Sequence, residues 1–215
     1  MNHIPMRMHA PAVRPQKMTR RALAKQQTRE KVLQAARDLF VERGYDGATI
    51  RDIARAAGMS TGAVFASFAD KTELFDAILS EDFANLVEPM QDAAEAAPTV
   101  REALTGMFGA AYRAHASQLP LIQAAQAASW TRSPEAERRR RESLRPIRSL
   151  VTEVLQRGVE RGELAPRFDL RLIADMVWDL YLAGYRPAAF EGLSVENQTE
   201  RLAERLDVVL AGLKA

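Results

Sequence analysis

From about residue 25 to residue 79, apolar positions recur at helical spacing in four blocks, each bounded by start and stop residues. Val32, Ala35, Ala36, Leu39 and Phe40 share one face, and Gly44 stands where that helix stops. Tyr45-Asp46-Gly47 reads as a turn. Thr49 holds an N-cap position with Asp52 three residues on, close to a capping box. Ile50, Ile53, Ala54 and Ala57 give a second, short helix one buried face, and Gly58 ends it. Ser60 caps a third helix with Val64 and Phe68 inward. Asp70 and Glu73 open a fourth, with Leu74, Phe75, Ile78 and Leu79 on its apolar side. Two short amphipathic segments around a Gly-containing break, residues 49–71, form the pattern of a helix-turn-helix.

The remaining chain keeps the helical period. Thr99 with Glu102 opens a helix carrying Val100, Leu104, Met107, Phe108 and Ala111 on one face. Gly106 and Gly109 inside it leave room for a ligand or let two helices pack closely. Leu119-Pro120 interrupts the pattern, Leu121 to Trp130 resumes it, and Ser133-Pro134-Glu135 starts a long polar helix that Pro146 kinks or restarts. Arg138, Arg139, Arg140 and Arg141 point in four directions on that helix, so the run reads as a solvated face, offset by Glu135, Glu137 and Glu142, with a role toward DNA or an anionic ligand as the lesser alternative. From Asp169, Leu172, Ile173, Met176, Val177, Leu180, Tyr181 and Gly184 make one broad stripe, with Trp178, Leu182 and Ala183 off it. A last helix from about Glu196 carries Leu202, Leu206, Val209, Leu210 and Leu213. Two such helices suit either a two-fold subunit interface or an ordinary core.

Composition narrows the class without choosing it. The 215 residues are 47% hydrophobic and 27% charged, ordinary for a globular chain. Without cysteine there is no disulfide framework or thiolate metal site. No apolar run approaches the roughly 18 residues of a membrane span, and no secretory signal is legible, so the cytoplasm is expected. Residues 1–80 hold 13 Lys and Arg against 8 Asp and Glu, whereas the remainder holds 17 against 20. A basic first third on a slightly acidic body fits a phosphate-binding module attached to a non-binding one, or a basic tail with no partner. Residues 1–24, with Pro5, Pro11 and Pro15 and no acid, read as a disordered basic arm.

Residues 28–79 resemble the DNA-binding domain of the TetR family of bacterial transcriptional regulators. The matching motifs are A-x-x-L-F (Ala36, Leu39, Phe40), G-Y (Gly44, Tyr45) and T-[IV]-x-x-I-A (Thr49, Ile50, Ile53, Ala54). They continue with A-G-x-S-x-G (Ala57, Gly58, Ser60, Gly62), F-x-x-F (Phe65, Phe68) and K-x-x-L-F (Lys71, Leu74, Phe75). The resemblance implies an all-α fold. It also implies that residues 25–80 form a three-helix DNA-binding domain, and residues 81–215 a helical ligand-binding and dimerisation domain paired through the last two long helices. One departure matters: the family usually has tyrosine where Phe65 stands, with its hydroxyl on a phosphate, and often tyrosine or histidine at Ser67.

The chemistry of the motif supports that reading. Thr61, Gly62 and Ala63 are small enough to let the recognition helix approach base edges, and Thr61 can also donate to phosphate. Arg51 and Lys71 are spaced to hold backbone phosphates on either side of the groove. The candidate DNA contacts are therefore Thr49, Arg51, Ser60, Thr61, Gly62, Ala63, Phe65, Ser67 and Lys71. Candidate effector contacts are Met107, Phe108, Tyr112, Trp130, Trp178 and Tyr181, with Tyr185, His115 and Arg113 as further possible lining. The expected function is a ligand-responsive repressor that binds a near-palindromic operator as a homodimer and is released by a small molecule. A DNA-binding regulator without such an effector is the alternative, and a helical enzyme or adaptor the remoter one. With no cysteine, three histidines and no phosphate-cradling glycine loop, neither catalysis nor a cofactor or metal is expected.

Overall fold

Ten helices and no strand occupy the described residues, 19–214, of this computed structural model. In chain order they are α1 (Arg20–Gly47), α2 (Ile50–Ala56), α3 (Thr61–Phe65), α4 (Lys71–Ala96), α5 (Val100–His115), α6 (Leu119–Ala128), α7 (Pro134–Glu160), α8 (Leu170–Ala183), α9 (Tyr185–Glu191) and α10 (Val195–Ala211). The first helix begins earlier than its apolar period implies. Thr19 Oγ1 accepts from Ala22 N at 3.2 Å, and the Arg, Ala, Leu and Lys that follow are good helix formers. Residues 20–24 are therefore helical rather than part of a disordered arm; residues 1–18 of that expected arm lie outside the described residues.

The caps work as the spacing predicts. Thr49 and Asp52 form a reciprocal capping box at the start of α2. At the start of α4, Asp70 accepts from Glu73 N at 2.8 Å, but the Glu73 carboxylate reaches one residue further back, to Ala69 N. Gly44 (φ 72°) and Gly58 (φ 68°) take the left-handed conformation that breaks α1 and turns α2 into α3, where a Cβ costs about 1 kcal/mol or more.

Two apolar clusters result, and α4 belongs to both. Its Leu74, Phe75, Ile78 and Leu79 pack with Val32, Phe40, Ile53, Val64 and Phe68 of α1–α3 and their turns, while Leu86 and Met90 join α5, α7, α8 and α10. Phe83 lies against both clusters, and Leu121 and Ala125 of α6 reach across into the first. The expected domain limit at residues 80 and 81 thus falls inside a continuous helix, not in a linker. Arg37 on α1 adds a polar lock, donating to Asp82 Oδ1 on α4 (2.5 Å) and to Gln118 Oε1 ahead of α6 (3.0 Å).

The body glycines serve close packing. A Cβ on Gly106 would stand 3.4 Å from Ala93 Cβ, and one on Gly109 3.2 Å from Thr199 Cγ2, which brings α5 tight against α4 and α10. The long helix α7 runs unbroken through Pro146. The α8 stripe is turned from its expected setting: Ile173, Val177, Trp178 and Tyr181 face inward, and Leu172 and Met176 face solvent. No helix among the described residues is long and apolar enough to cross a membrane.

Gly184, between α8 and α9, sits directly under the Tyr112 hydroxyl, which donates to Tyr181 O at 2.7 Å. Gly184→Ala should overpack this site and destabilise the fold by about 1–3 kcal/mol. Urea unfolding checks it; an unchanged midpoint would show that the Tyr112 ring yields without cost.

Candidate nucleic-acid interface and effector cavity

The outer surface of α2 and α3 collects most of the residues expected to meet DNA. Arg51, Ser60, Thr61 and Gly62 are exposed, Ala63 and Ser67 are partly so, and Val64 anchors the five-residue α3 inward. Ser60 Oγ accepts from Ala63 N (3.2 Å), which leaves its proton free to donate outward. Phe65 is 53% exposed, so its ring does not pack into the core and stands beside Thr61 and Gly62 as an apolar surface. Two of the expected contacts have other duties. The Thr49 hydroxyl is held within the cap, accepting from Asp52 N and donating to Asp52 Oδ2.

Lys71 is the more heavily engaged of the two. Its Nζ donates to Tyr45 O (2.9 Å) and Ala48 O (3.2 Å) and lies 4.2 Å above the Tyr45 ring. Two of its three N–H donors therefore clamp the α1–α2 turn to the start of α4, and only the third remains for a phosphate. Arg29 makes a matching clamp from α1, donating to Ser67 O (3.2 Å) with its guanidinium 4.2 Å above Phe68. The two cations fix the orientation of the recognition unit on its support.

In the body, a small cavity of about 40 Å³ lies between α4, α6, α7 and α8. Its apolar walls come from Phe83, Met90, Ile122, Ile147, Trp178 and Tyr181, and its polar groups from His115, Gln126, Arg140 and Tyr185. Of the expected effector contacts, Trp178 and Tyr181 are on this wall. Phe108 and Tyr112 sit behind it, Phe108 stacked on Tyr181 at 4.6 Å. Met107 is fully buried in the helical core off the cavity, and Trp130 is 91% exposed beyond the end of α6, where the helix has already unwound. Arg113 is exposed as well. Most of the wall was not marked in the sequence, because Phe83, Met90, Ile122 and Ile147 are indistinguishable there from core residues. Asp76 and Arg132, which meet at 3.5 Å between α4 and the α6–α7 turn, carried no motif.

A neutral hydrogen-bonded chain crosses the cavity wall. His115 Nδ1 is 2.6 Å from the Tyr185 hydroxyl, which in turn bonds the Tyr181 hydroxyl. Burial, with a smaller push from Arg37, lowers the His115 pKa to about 4, and burial raises Tyr112, Tyr181 and Tyr185. The arginine run is also not wholly solvated. Arg138, Arg139 and Arg141 are exposed, the last two paired with Glu135 and Glu137, while Arg140 turns inward to the cavity. Among the described residues no group of His, Asp or Glu side chains is gathered as a metal site.

The His115 shift makes stability depend on pH. Its folded pKa lies below that of the unfolded chain, so the unfolded state takes up the proton first. The contribution is fully present above about pH 6.5 and is lost as pH falls toward 4, by up to about 3 kcal/mol. Denaturant midpoints across that window should slope steeply, and His115→Gln should flatten the slope; a parallel profile in the variant would exclude His115 as its source.

Comparison with known proteins agrees with this geometry. Residues 32–78 match the family described as "Bacterial regulatory proteins, tetR family", and residues 99–205 match "Tetracyclin repressor-like, C-terminal domain". The HTH-type transcriptional repressor KstR2 of Mycobacterium tuberculosis is 32% identical over 168 residues, 74% of this chain and 82% of the relative. The structure of Thermus thermophilus FadR, a TetR family transcriptional repressor in complex with lauroyl-CoA, superposes with a TM-score of 0.69. It is 26% identical, and the match covers 87% of this chain and 95% of FadR. FadR from Bacillus subtilis in complex with stearoyl-CoA shares the fold, with a TM-score of 0.73 at 19% identity over 82% of this chain and 96% of that one. The chain belongs to the TetR family of bacterial transcriptional regulators, with its helix-turn-helix in α2 and α3.

Proposed function

We propose that two copies of this chain, joined through α8 and α10, present their α2–α3 units to successive major grooves of a near-palindromic operator, and that a fatty acyl-CoA thioester releases them. The pairing is supported by apolar side chains left facing solvent on those helices, Leu172 (60% exposed) and Met176 on α8 and Val208 (76%) on α10. On the DNA side, Arg51, Ser60, Thr61, Gly62, Ala63, Phe65 and Ser67 form the reading face, with Thr49 and Lys71 chiefly holding its shape. The protein acts by binding and not by catalysis, in the cytoplasm where its DNA lies.

The observation that carries the effector reading is the apolar cavity against α4, whose other end is part of the DNA-binding core. Its 40 Å³ is far below the ~300–1,000 Å³ of a site that buries a drug-sized ligand. An effector therefore enters only by parting α4 from α6, α7 and α8. It binds the parted state better than the closed one, and DNA affinity falls by that difference. The acyl-CoA class rests on the likeness to FadR, whose bound ligands are lauroyl-CoA and stearoyl-CoA.

Footprinting on the chain's own promoter and its neighbours tests the reading. A protected inverted repeat is expected, with protection lost on adding lauroyl-CoA; finding no protected repeat would sink the repressor model at these sites. Phe65→Tyr should restore a phosphate hydrogen bond and tighten operator binding by about fivefold. Weaker binding by the tyrosine variant would instead show that the bare ring itself rests on the DNA.

A further inference from the structure

A second, larger opening lies between the start of α4 and the α6–α7 turn. It has a volume of about 810 Å³, and Arg29, Asp76, Arg132, Arg139 and Arg140 are among its walls. The Arg132 side chain is only 4% exposed, yet neither Nη1 nor Nη2 has a hydrogen-bond acceptor among the described residues. Asp76 Oδ1 stands 3.5 Å away and Glu137 Oε2 3.8 Å away, close enough for charge attraction but not for hydrogen bonds. Arg140 Nε is likewise buried without an acceptor.

Of the nearby acids only Asp76 faces the guanidinium groups without another hydrogen-bond partner; the others are committed elsewhere. Glu137 Oε1 accepts from Arg141 Nε at 2.9 Å, Asp70 caps α4, and the Glu73 carboxylate holds Ala69 N. Two inward guanidinium groups, each a planar fork of N–H donors, thus face a cleft that supplies too few acceptors. A buried cation in that condition favours any anion that completes its hydrogen bonds. The cleft adjoins the apolar cavity, and Leu79, Phe83 and Arg140 form the wall they share.

We propose that this cleft is an oxyanion site, where Arg132 and Arg140 receive a phosphate-type group of the effector while its apolar tail passes Arg140 into the inner cavity. The tail assignment rests on the acyl-CoA reading above; the oxyanion site itself does not. The head group then lies toward the DNA-binding unit. By drawing Arg132 from Asp76 it loosens the hold of the body on the first turns of α4, the same segment that Lys71 clamps to the helix-turn-helix.

The test uses the full chain, with lauroyl-CoA, laurate and inorganic pyrophosphate as probes in calorimetric titration and thermal-shift assays. Arg132→Gln and Arg140→Gln should each weaken lauroyl-CoA binding by about tenfold or more, leaving laurate unchanged; Arg138→Gln, an exposed member of the same run, should do neither. Arg132→Lys, which keeps the charge but loses the fork, should also weaken binding, and it serves if the glutamine variant fails to fold by circular dichroism. Pyrophosphate that stabilises the wild type but not the Arg132 variants supports the site with a free oxyanion as occupant. If lauroyl-CoA leaves operator binding untouched while pyrophosphate behaves in this way, the effector reading fails and the oxyanion site stands. Equal lauroyl-CoA affinity in wild type and both arginine variants overturns the oxyanion site and leaves the effector reading intact. No response to lauroyl-CoA or pyrophosphate in the wild type overturns both.

Discussion

Helix α4 is held in two hydrophobic cores at once, and the behaviour of the molecule follows from that. Its first half completes the DNA-binding core, its second half the body core, and Phe83 lies between them. A helix of 26 residues is roughly 39 Å long, and from Lys71 to Pro89, which lacks an N–H, it resists bending because each turn is hydrogen-bonded to the next. Displacement at its body end is therefore carried to its start, where Lys71 holds the α1–α2 turn. The helix-turn-helix has no independent freedom from its support, so a change in the body becomes a change in where the recognition helix points.

The polar groups along α4 form a graded set of restraints. The Arg37–Asp82–Gln118 contact is short and part-buried; breaking one partner would leave a poorly compensated charge. Burial raises the Asp82 carboxyl pKa even though Arg37 opposes it, which shows how much desolvation that lock has absorbed. The Asp76–Arg132 contact nearer the DNA-binding unit is longer and unsupported by hydrogen bonds. One restraint fixes the pivot between the cores, and the other is loose enough for a competing anion to take over.

The cavity itself is small and neutral. His115, Tyr181 and Tyr185 share protons along one chain rather than carry charge, which keeps apolar surface compatible with polar anchoring at a single wall. Charge enters only at Arg140, where the cavity meets the cleft. An amphipathic molecule matches that division of the interior, and a wholly polar one does not.

Local chemistry was legible in the chain. Caps at Thr49, Ser60, Asp70, Thr99 and Ser133, the break at Gly44, the turn at Gly58 and the small residues opening the third helix depend on spacings of three or four residues. They identified the all-α class, the helix-turn-helix and most of its outward face. What depends on distant partners was not legible. A lysine spaced for phosphate became a clamp because two backbone carbonyls lie within its reach, and a tryptophan at helical spacing stayed outside because its helix ends first. Four consecutive arginines looked alike, yet only Arg140 faces inward, since helix phase against neighbours 60 residues away selects it. Spacing along the chain is enough for the elements and the helix-turn-helix; packing alone selects which cations hold the fold and which face a cleft, because burial and partnership are properties of the folded chain.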